Sequence, residues 1–448
     1  PLPAARVRAG PGQCPALHER RLHLARQACP RPRAMVPPRW LRALPVLGVA
    51  LLATGAGAVE AGRLAASSTA QLRTDAKGLM ARSVMLISLP VERKVSYVEI
   101  SDLKAVGGVV RPLVDSGLSN PCGIAYHEKD STLFVADSEL KKIFRYTVKL
   151  EPCPAAGCPC DSAGTACGLK YHVSTGKRLT IMENVLTQWV TVDQQGNLYY
   201  SDQQAQSVNK LSAGAIMRVA NGILNPKDLQ PTSESQAEAL QAAAEASGTV
   251  SAASLAAMAM YTAGSNKNVV SPAGVVADAT EVYWANQAGG SGGGTTIGAG
   301  PSVPQEPVLA QGGSSGPSAF QTYKLAGGVD AAYGIAQTDG LIVFTDDSNY
   351  VYCVAKSGSA GGRPTALVEG TLAPRGIVWD GSGTVFVADS GTDTIYSMPS
   401  GHCAAGVPMQ QAAYVHGPFG LALIKASALS AHLPAPKPAG GSWLSWLR

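Results

Sequence analysis

The chain is poor in charge and in aromatic side chains. Of 448 residues, 15% are Asp, Glu, Lys or Arg and 6% are aromatic, with only six phenylalanines. No segment interleaves basic and aromatic residues, so nucleic acid is not expected as a partner. There is neither a phosphate-cradling glycine loop nor an acidic calcium loop of the EF type. The apolar run Ala43–Ala53 has 11 residues, short of the roughly 20 that cross a bilayer, so no transmembrane span is expected in the mature chain. The formal net charge of +5 owes much to arginines at or before Arg42 and says little about the rest. Seven histidines are scattered, among them His127, His172 and His416, and no Asn-x-Ser/Thr sequon occurs.

What is abundant is glycine, at 49 residues, alongside 46% hydrophobic residues. This composition suits turn-rich β-structure around a large core. A repeat explains it. Ala373 to Met398 reads Pro-x-Gly-apolar, a polar turn at Asp380-Gly381, an apolar run ending Ala-Asp, another turn and a third apolar run. Alternating runs about such a turn mark a hairpin. The same pattern recurs at 120–146, at 186–211, from Ser271, at 331–354, and in truncated form at 416–424. Its anchor falls at Gly123, Trp189, Gly274, Gly334, Gly376 and Gly420. In the five full copies the second run ends on Asp137, Asp202, Asn286, Asp346 and Asp389.

Pro374-Arg375-Gly376-Ile377 followed by Val387-Ala388-Asp389-Ser390 resembles the NHL repeat. Tyr199-Tyr200-Ser201-Asp202, Tyr283-Trp284-Ala285-Asn286 and Val343-Phe344-Thr345-Asp346 resemble the YWTD repeat of lipoprotein-receptor propellers. Both families build six-bladed β-propellers from four-stranded blades. The resemblance implies an all-β fold, a six-bladed propeller, over about 83–425. It implies that Asp137, Asp202, Asn286, Asp346 and Asp389 are structural braces that bond backbone between blades. Gluconolactonase-like propellers are similar in architecture and hold a divalent metal at the channel mouth, but their ligand set has no residue-by-residue match here.

Along the chain, 1–34 is read as an upstream or disordered lead. Residues 35–61 have the n-region, h-region and small-residue ending of a signal peptide, and 62–82 form a linker. Ser83–Leu89, Val95–Asp102 and Val109–Val114 are three strand candidates. The sixth repeat copy supplies one strand, so the two chain ends are expected to complete one composite blade and close the ring. Three insertions, 150–178, 226–270 and 287–319, are set aside, which leaves about 39 residues for each of six blades. The first carries Cys153, Cys158, Cys160 and Cys167, whose spacing is poor for zinc and better suited to disulfides in a secreted chain. Cys158 and Cys160 are expected to bond outward, to Cys153 or Cys167. Cys353 and Cys403 are placed to pair across neighbouring blades, and Cys122 is left buried and free. Helices are expected at Glu234–Ala246 and Ala252–Tyr261, and a mobile loop at Ala288–Ser318. The tail, 426–448, offers Trp443 and Trp446 for weak membrane contact.

Loops held on a rigid ring are where recognition concentrates. The loops before the innermost strands hold Asn120, Gln188, Ser271, Asp330, Arg375 and His416, the candidate binding face. The sequence therefore reads as a secreted or lumenal propeller that binds a protein or small ligand, with no catalytic residue and no cofactor assigned. The alternative is a lactonase- or esterase-like hydrolase with a divalent metal at the channel mouth.

Overall fold

The structure is a computed structural model and describes residues 83–153, 158, 168–229, 257–264, 266–288, 295–302, 322–357 and 361–425. It is a six-bladed β-propeller. Strands β1 (Ser83–Leu89), β2 (Lys94–Ser101), β3 (Lys104–Ala105) and β4 (Arg111–Val114) come first. They share a sheet with the last strand, β26 (Leu421–Ile424), which pairs with β1 from Val84↔Ile424 to Ile87↔Leu421. This is the composite blade expected from the sequence, here numbered blade 6. Pairing the chain ends removes two open sheet edges and closes the ring.

Blade 1 is β5 (Pro121–His127), β6 (Thr132–Asp137), β7 (Lys142–Pro152) and β9 (Leu179–Glu183), with β8 (Tyr171–Thr175) paired to the far half of β7. Blade 2 is β10 (Val190–Val192), β11 (Leu198–Asp202), β12 (Ser207–Leu211) and β13 (Ala257–Thr262). Blade 3 is β14 (Pro272–Ala277), β15 (Glu281–Asn286), β16 (Thr295–Pro301) and β17 (Tyr323–Val329). Blade 4 is β18 (Ala332–Gln337), β19 (Leu341–Asp346), β20 (Tyr350–Ala355) and β21 (Thr365–Glu369). Blade 5 is β22 (Pro374–Trp379), β23 (Thr384–Asp389), β24 (Thr394–Pro399) and β25 (Gln410–Tyr414).

Burial follows position in the blade. Every residue of β6 and β23 is buried, because neighbouring blades cover both faces of a second strand, and such strands read as continuous apolar runs. The outermost β25 is exposed at three of its five positions. The β7–β8 hairpin leans back on blade 6. There the fully buried Glu99 carboxylate accepts the backbone N–H groups of Lys170 and Tyr171 at 2.6–3.0 Å.

Three expectations change. Ala257–Thr262, placed at the end of a helix, is instead β13, the fourth strand of blade 2. Its Ala and Met content favours a helix, but tertiary pairing overrides it. Tyr261 stacks on Trp284 at 5.1 Å between ring centroids, and its hydroxyl donates to the carbonyl of Pro301 at 2.6 Å. Thr295–Pro301, read as part of a mobile loop, is β16. Its glycines are sockets for aromatic rings: a Cβ on Gly298 would stand 2.4 Å from the Trp284 indole, and one on Gly300 2.7 Å from the Tyr261 hydroxyl. Both strands lie inside stretches set aside as insertions. A helix, α1 (Ala213–Ala220), follows β12 where none was expected. Ser212 caps it by accepting the Ala215 N–H, and Ala215, Ile216 and Val219 are its buried face. The helix expected at Glu234–Ala246, the signal peptide and the tryptophan tail lie outside the described residues.

Candidate functional site

The six inner strands converge at the anchor register. A Cβ on Gly274, Gly334 or Gly376 would stand 2.1 Å from the carbonyl oxygen of Tyr333, Arg375 or Phe419 on the next blade. For Gly123 and Gly420 the distance is 2.5 Å, to the carbonyls of Gln188 and Cys122. Only glycine lets two backbones approach so closely. A hydrogen-bonded belt results. Gly123 donates to Gln188 at 2.7 Å and Gly376 to Phe419 at 2.8 Å. In blade 4 the belt runs through a hydroxyl: Gly334 donates to Thr345 Oγ1 at 3.0 Å, and that hydroxyl donates to Arg375 at 2.8 Å. In blade 6 Ser88 likewise accepts from Gly420 and donates to Cys122. Hydroxyl residues stand before the terminal residue of the second strand in blades 2, 4 and 6, as Ser201, Thr345 and Ser88. Alanine stands there in blades 1, 3 and 5, as Ala136, Ala285 and Ala388.

Blade 2 breaks the belt with Trp189. Its indole reaches past blade 1 to Phe419 of blade 6, 5.0 Å between centroids, so it lies across the neck of the channel. Trp189 is 6% exposed. Its Nε1 and the nearby Ser201 hydroxyl are both buried without a hydrogen-bond partner.

The strand-end carboxylates tie each blade's own entry loop to its next turn. Asp137 accepts from the backbone of Ser119 (2.7 Å), Asn120 (3.1 Å) and Leu140 (3.0 Å). Asp389 accepts from Leu372 (2.9 Å), Ala373 (2.8 Å) and Gly391 (3.0 Å). Asp346 accepts from Asp330, Ser348 and Tyr350, and burial raises its carboxyl above the usual value. Asp202 accepts only from its turn, at Gln204 and Ala205. Asn286 accepts from Val270 and donates to the Asn268 carbonyl. The loops so held are the segments that join one blade to the next, and the belt adds direct links between inner strands.

Asn120, Gln188, Ser271, Asp330, Arg375 and His416 all fall on the strand-start end of the ring, five of them in loops and Arg375 at the second position of β22. Gln188 joins the belt through its carbonyl. Asn120 and Asp330 supply backbone N–H groups to the braces, and Asn120 Nδ2 donates to Ser138 at 2.7 Å. The Ser271 N–H donates to Gln206 Oε1 at 2.7 Å. Arg375 lies 4.1 Å over the Tyr333 ring and pairs with Asp347 at 3.1 Å. His416 Nδ1 lies 3.1 Å from Asp393 Oδ2. The carboxyl of Asp393 is lowered, first by the N–H donated from Gly417 and then by His416.

Residue-type reasoning missed the exposed apolar side chains on this same end. Val91, Tyr414 and Leu372 are 72%, 65% and 60% exposed. They are spread around the blade 5–6 junction. Leu372 abuts the Gly391 turn, Asp393 of that turn holds Gly417, and Gly417 faces Val91.

The other end of the ring is open. A cavity of about 290 Å³ runs from the anchor register to the inner-strand ends. Its wall is formed by six edge strands, whose outer N–H and C=O groups have no strand partner, together with aliphatic side chains such as Ile124, Val192, Ile377 and Leu423. Among the described residues Lys425 is the one charged residue of its lining, and Gln337 adds an amide. This set does not suit a divalent cation, which takes several oxygen or imidazole donors. Among the described residues no group of three or more His, Cys, Asp or Glu converges.

Cys153 is bonded to Cys158 and Cys353 to Cys403, with Cα separations of 5.1 and 5.7 Å. The second bond joins blades 4 and 5. Cys122 is free and buried, and burial pushes its thiol up to about 11. Cys160 and Cys167 lie outside the described residues. Among the described residues no helix is long and apolar enough to cross a membrane.

With blades, belt, braces and channel in place, the chain is defined as a six-bladed β-propeller. Solved structures share this architecture. A nidogen/laminin complex matches with a TM-score of 0.47 and 12% identity, covering 76% of this chain and 98% of that one. A gluconolactonase from Xanthomonas campestris matches at 0.41 and 11%, over 76% and 87%. The periplasmic gluconolactonase of Pseudomonas aeruginosa matches at 0.42 and 15%, over 77% and 99%. Each is a likeness of fold. No protein-family model and no curated protein matches the chain.

Proposed function

We propose that this propeller is a binding module of an oxidising, extracellular or lumenal compartment, and that its strand-start face at the blade 5–6 junction docks a protein. One observation carries the reading: Val91 and Leu372 in loops and Tyr414 at the end of β25 hold at least 60% of their surface in water on backbone that is fastened. Scattered exposed apolar residues are ordinary, but a cluster on one face marks an interaction site. The Asp389 brace and the Asp393 bonds to Gly417 and His416 fix the loops that present them. The surface is thus ordered before a partner arrives, which lowers the entropy lost on binding. The two disulfides fit an oxidising compartment.

Site-specific photo-crosslinking tests this. Benzoylphenylalanine is placed at Leu372 or Tyr414, and for comparison at Lys129 or Asp339 on the opposite face, in protein expressed by cells of its source. Discrete protein adducts from the first pair alone support the reading. Equal labelling from both faces refutes it.

A further inference from the structure

We propose that the outer rim between blades 3 and 4 carries a binding groove for a short neutral saccharide, which stacks on Tyr350 and Tyr352 and shares its hydroxyls between Glu369 and Arg363. The inference is independent of the docking face, which lies at another blade junction. It rests on a groove of about 320 Å³ lined by Gly328 of blade 3 and by Tyr350, Tyr352, Arg363, Ala366 and Glu369 of blade 4, a size that suits a small-molecule site.

The floor is a row of aromatic rings. Side chains alternate along a strand, so Tyr350 and Tyr352 share one face of β20, and Phe344 stands opposite Tyr352 on β19. Phe344 is fully buried and stacks on Tyr352 at 5.6 Å between ring centroids; Tyr352 in turn lies 5.6 Å from Tyr350, tilted by 35°. The row runs from the core to the rim, and its half-buried outer members are ordered before a ligand arrives. Tyr350 is fixed further by its hydroxyl, which donates to Glu369 Oε1 at 2.9 Å. Blade 3 contributes Gly328, at φ +84°, where a Cβ would meet nothing within 4 Å, so the groove stays open on that side.

The polar groups select the ligand. Glu369 lies opposite Tyr350 across the β20–β21 pair, and Arg363 comes two residues before Thr365, which lies opposite Cys353. An acceptor and a donor therefore stand toward opposite ends of the tyrosine row. Among the described residues Arg363 has no ion-pair or hydrogen-bond partner. Asp346, by contrast, is occupied, with Ser348 Oγ 2.7 Å from both its oxygens. An anion would face Glu369, and a cation would face Arg363. A purely aromatic ligand would leave both charges unanswered. A pyranose offers axial C–H groups to the negative face of a tyrosine ring. Its hydroxyls both donate to a carboxylate and accept from a guanidinium. Two linked rings follow the two tyrosines.

Saturation-transfer NMR on the full chain tests this with three neutral disaccharides, cellobiose, maltose and lactose. At least one is expected to bind, with a Kd of about 1 mM. Tyr350→Ala removes a stacking ring and should weaken that sugar about tenfold. Arg363→Ala and Glu369→Ala should each weaken it about fivefold, the loss of one hydrogen bond to a charged group. Tyr414→Ala, on the docking face, should change it less than about twofold. Matching urea unfolding curves show that the variants are folded; if Tyr350→Ala is not, Arg363→Ala and Glu369→Ala, both at exposed positions, decide. Absence of transfer to all three sugars overturns the proposal. Binding that the folded groove variants leave unchanged does so as well.

Discussion

Replacing Gly376 by alanine perturbs the belt at one rung and nothing else. The new Cβ would stand 2.1 Å from the Phe419 carbonyl oxygen and 3.0 Å from the Gly420 Cα. An ordinary carbon–oxygen contact is roughly 3.3 Å, so blades 5 and 6 must part by about 1 Å at the neck. Both neighbouring atoms are backbone, and the closed ring offers no free edge to absorb the shift. Overpacking of this kind costs about 1–3 kcal/mol. The 2.8 Å bond from the Gly376 N–H is stretched as well, worth about 1 kcal/mol. Against this, alanine restricts the unfolded chain and returns about 0.4–1 kcal/mol, since Gly376 does not need a positive φ. The net expectation is a loss of about 2–3 kcal/mol. Gly401→Ala is the control, because a Cβ there meets nothing within 4 Å and φ is not positive; it should be neutral or slightly stabilising. Urea unfolding followed by circular dichroism compares the two. Equal midpoints and slopes for Gly376→Ala and Gly401→Ala would refute the close-approach argument.

Asp389→Ala should destabilise by about 2 kcal/mol, because it removes the acceptor of three part-buried N–H donors; a loss under about 1 kcal/mol in the same unfolding assay would contradict the brace. Opening the Cys353–Cys403 bond with a double serine variant should remove about 4 kcal/mol, and opening Cys153–Cys158 about 2, since the bridges span 50 and 5 residues. Reversal of that order, measured by denaturation, would count against the loop-entropy account. A chain beginning at Gly108 loses β1, β2 and β3 and leaves β26 unpaired; it should be insoluble, and a soluble fragment that unfolds cooperatively would contradict the composite blade.

The sequence by itself determined the blade count and the closure. Its repeat places the anchor glycine and the strand-end acid at the same point of successive hairpins: the acid serves the turn beside it, and the glycine recurs because each blade meets the next in the same way. It also left one strand at the C-terminus and three near Ser83, which complete one another. Cys353 and Cys403 were visible for the same reason, since each has a definite place in its repeat. Other features depended on tertiary contact. Ala257–Thr262 carries helix-favouring residues, and only pairing with β12 and stacking of Tyr261 on Trp284 make it a strand. Gly298 and Gly300 look like loop glycines until the rings that fill their missing side-chain volume are present. The candidate face was legible as six loops. Val91 came to the same face as Leu372 and Tyr414 only when ring closure set blade 6 beside blade 5.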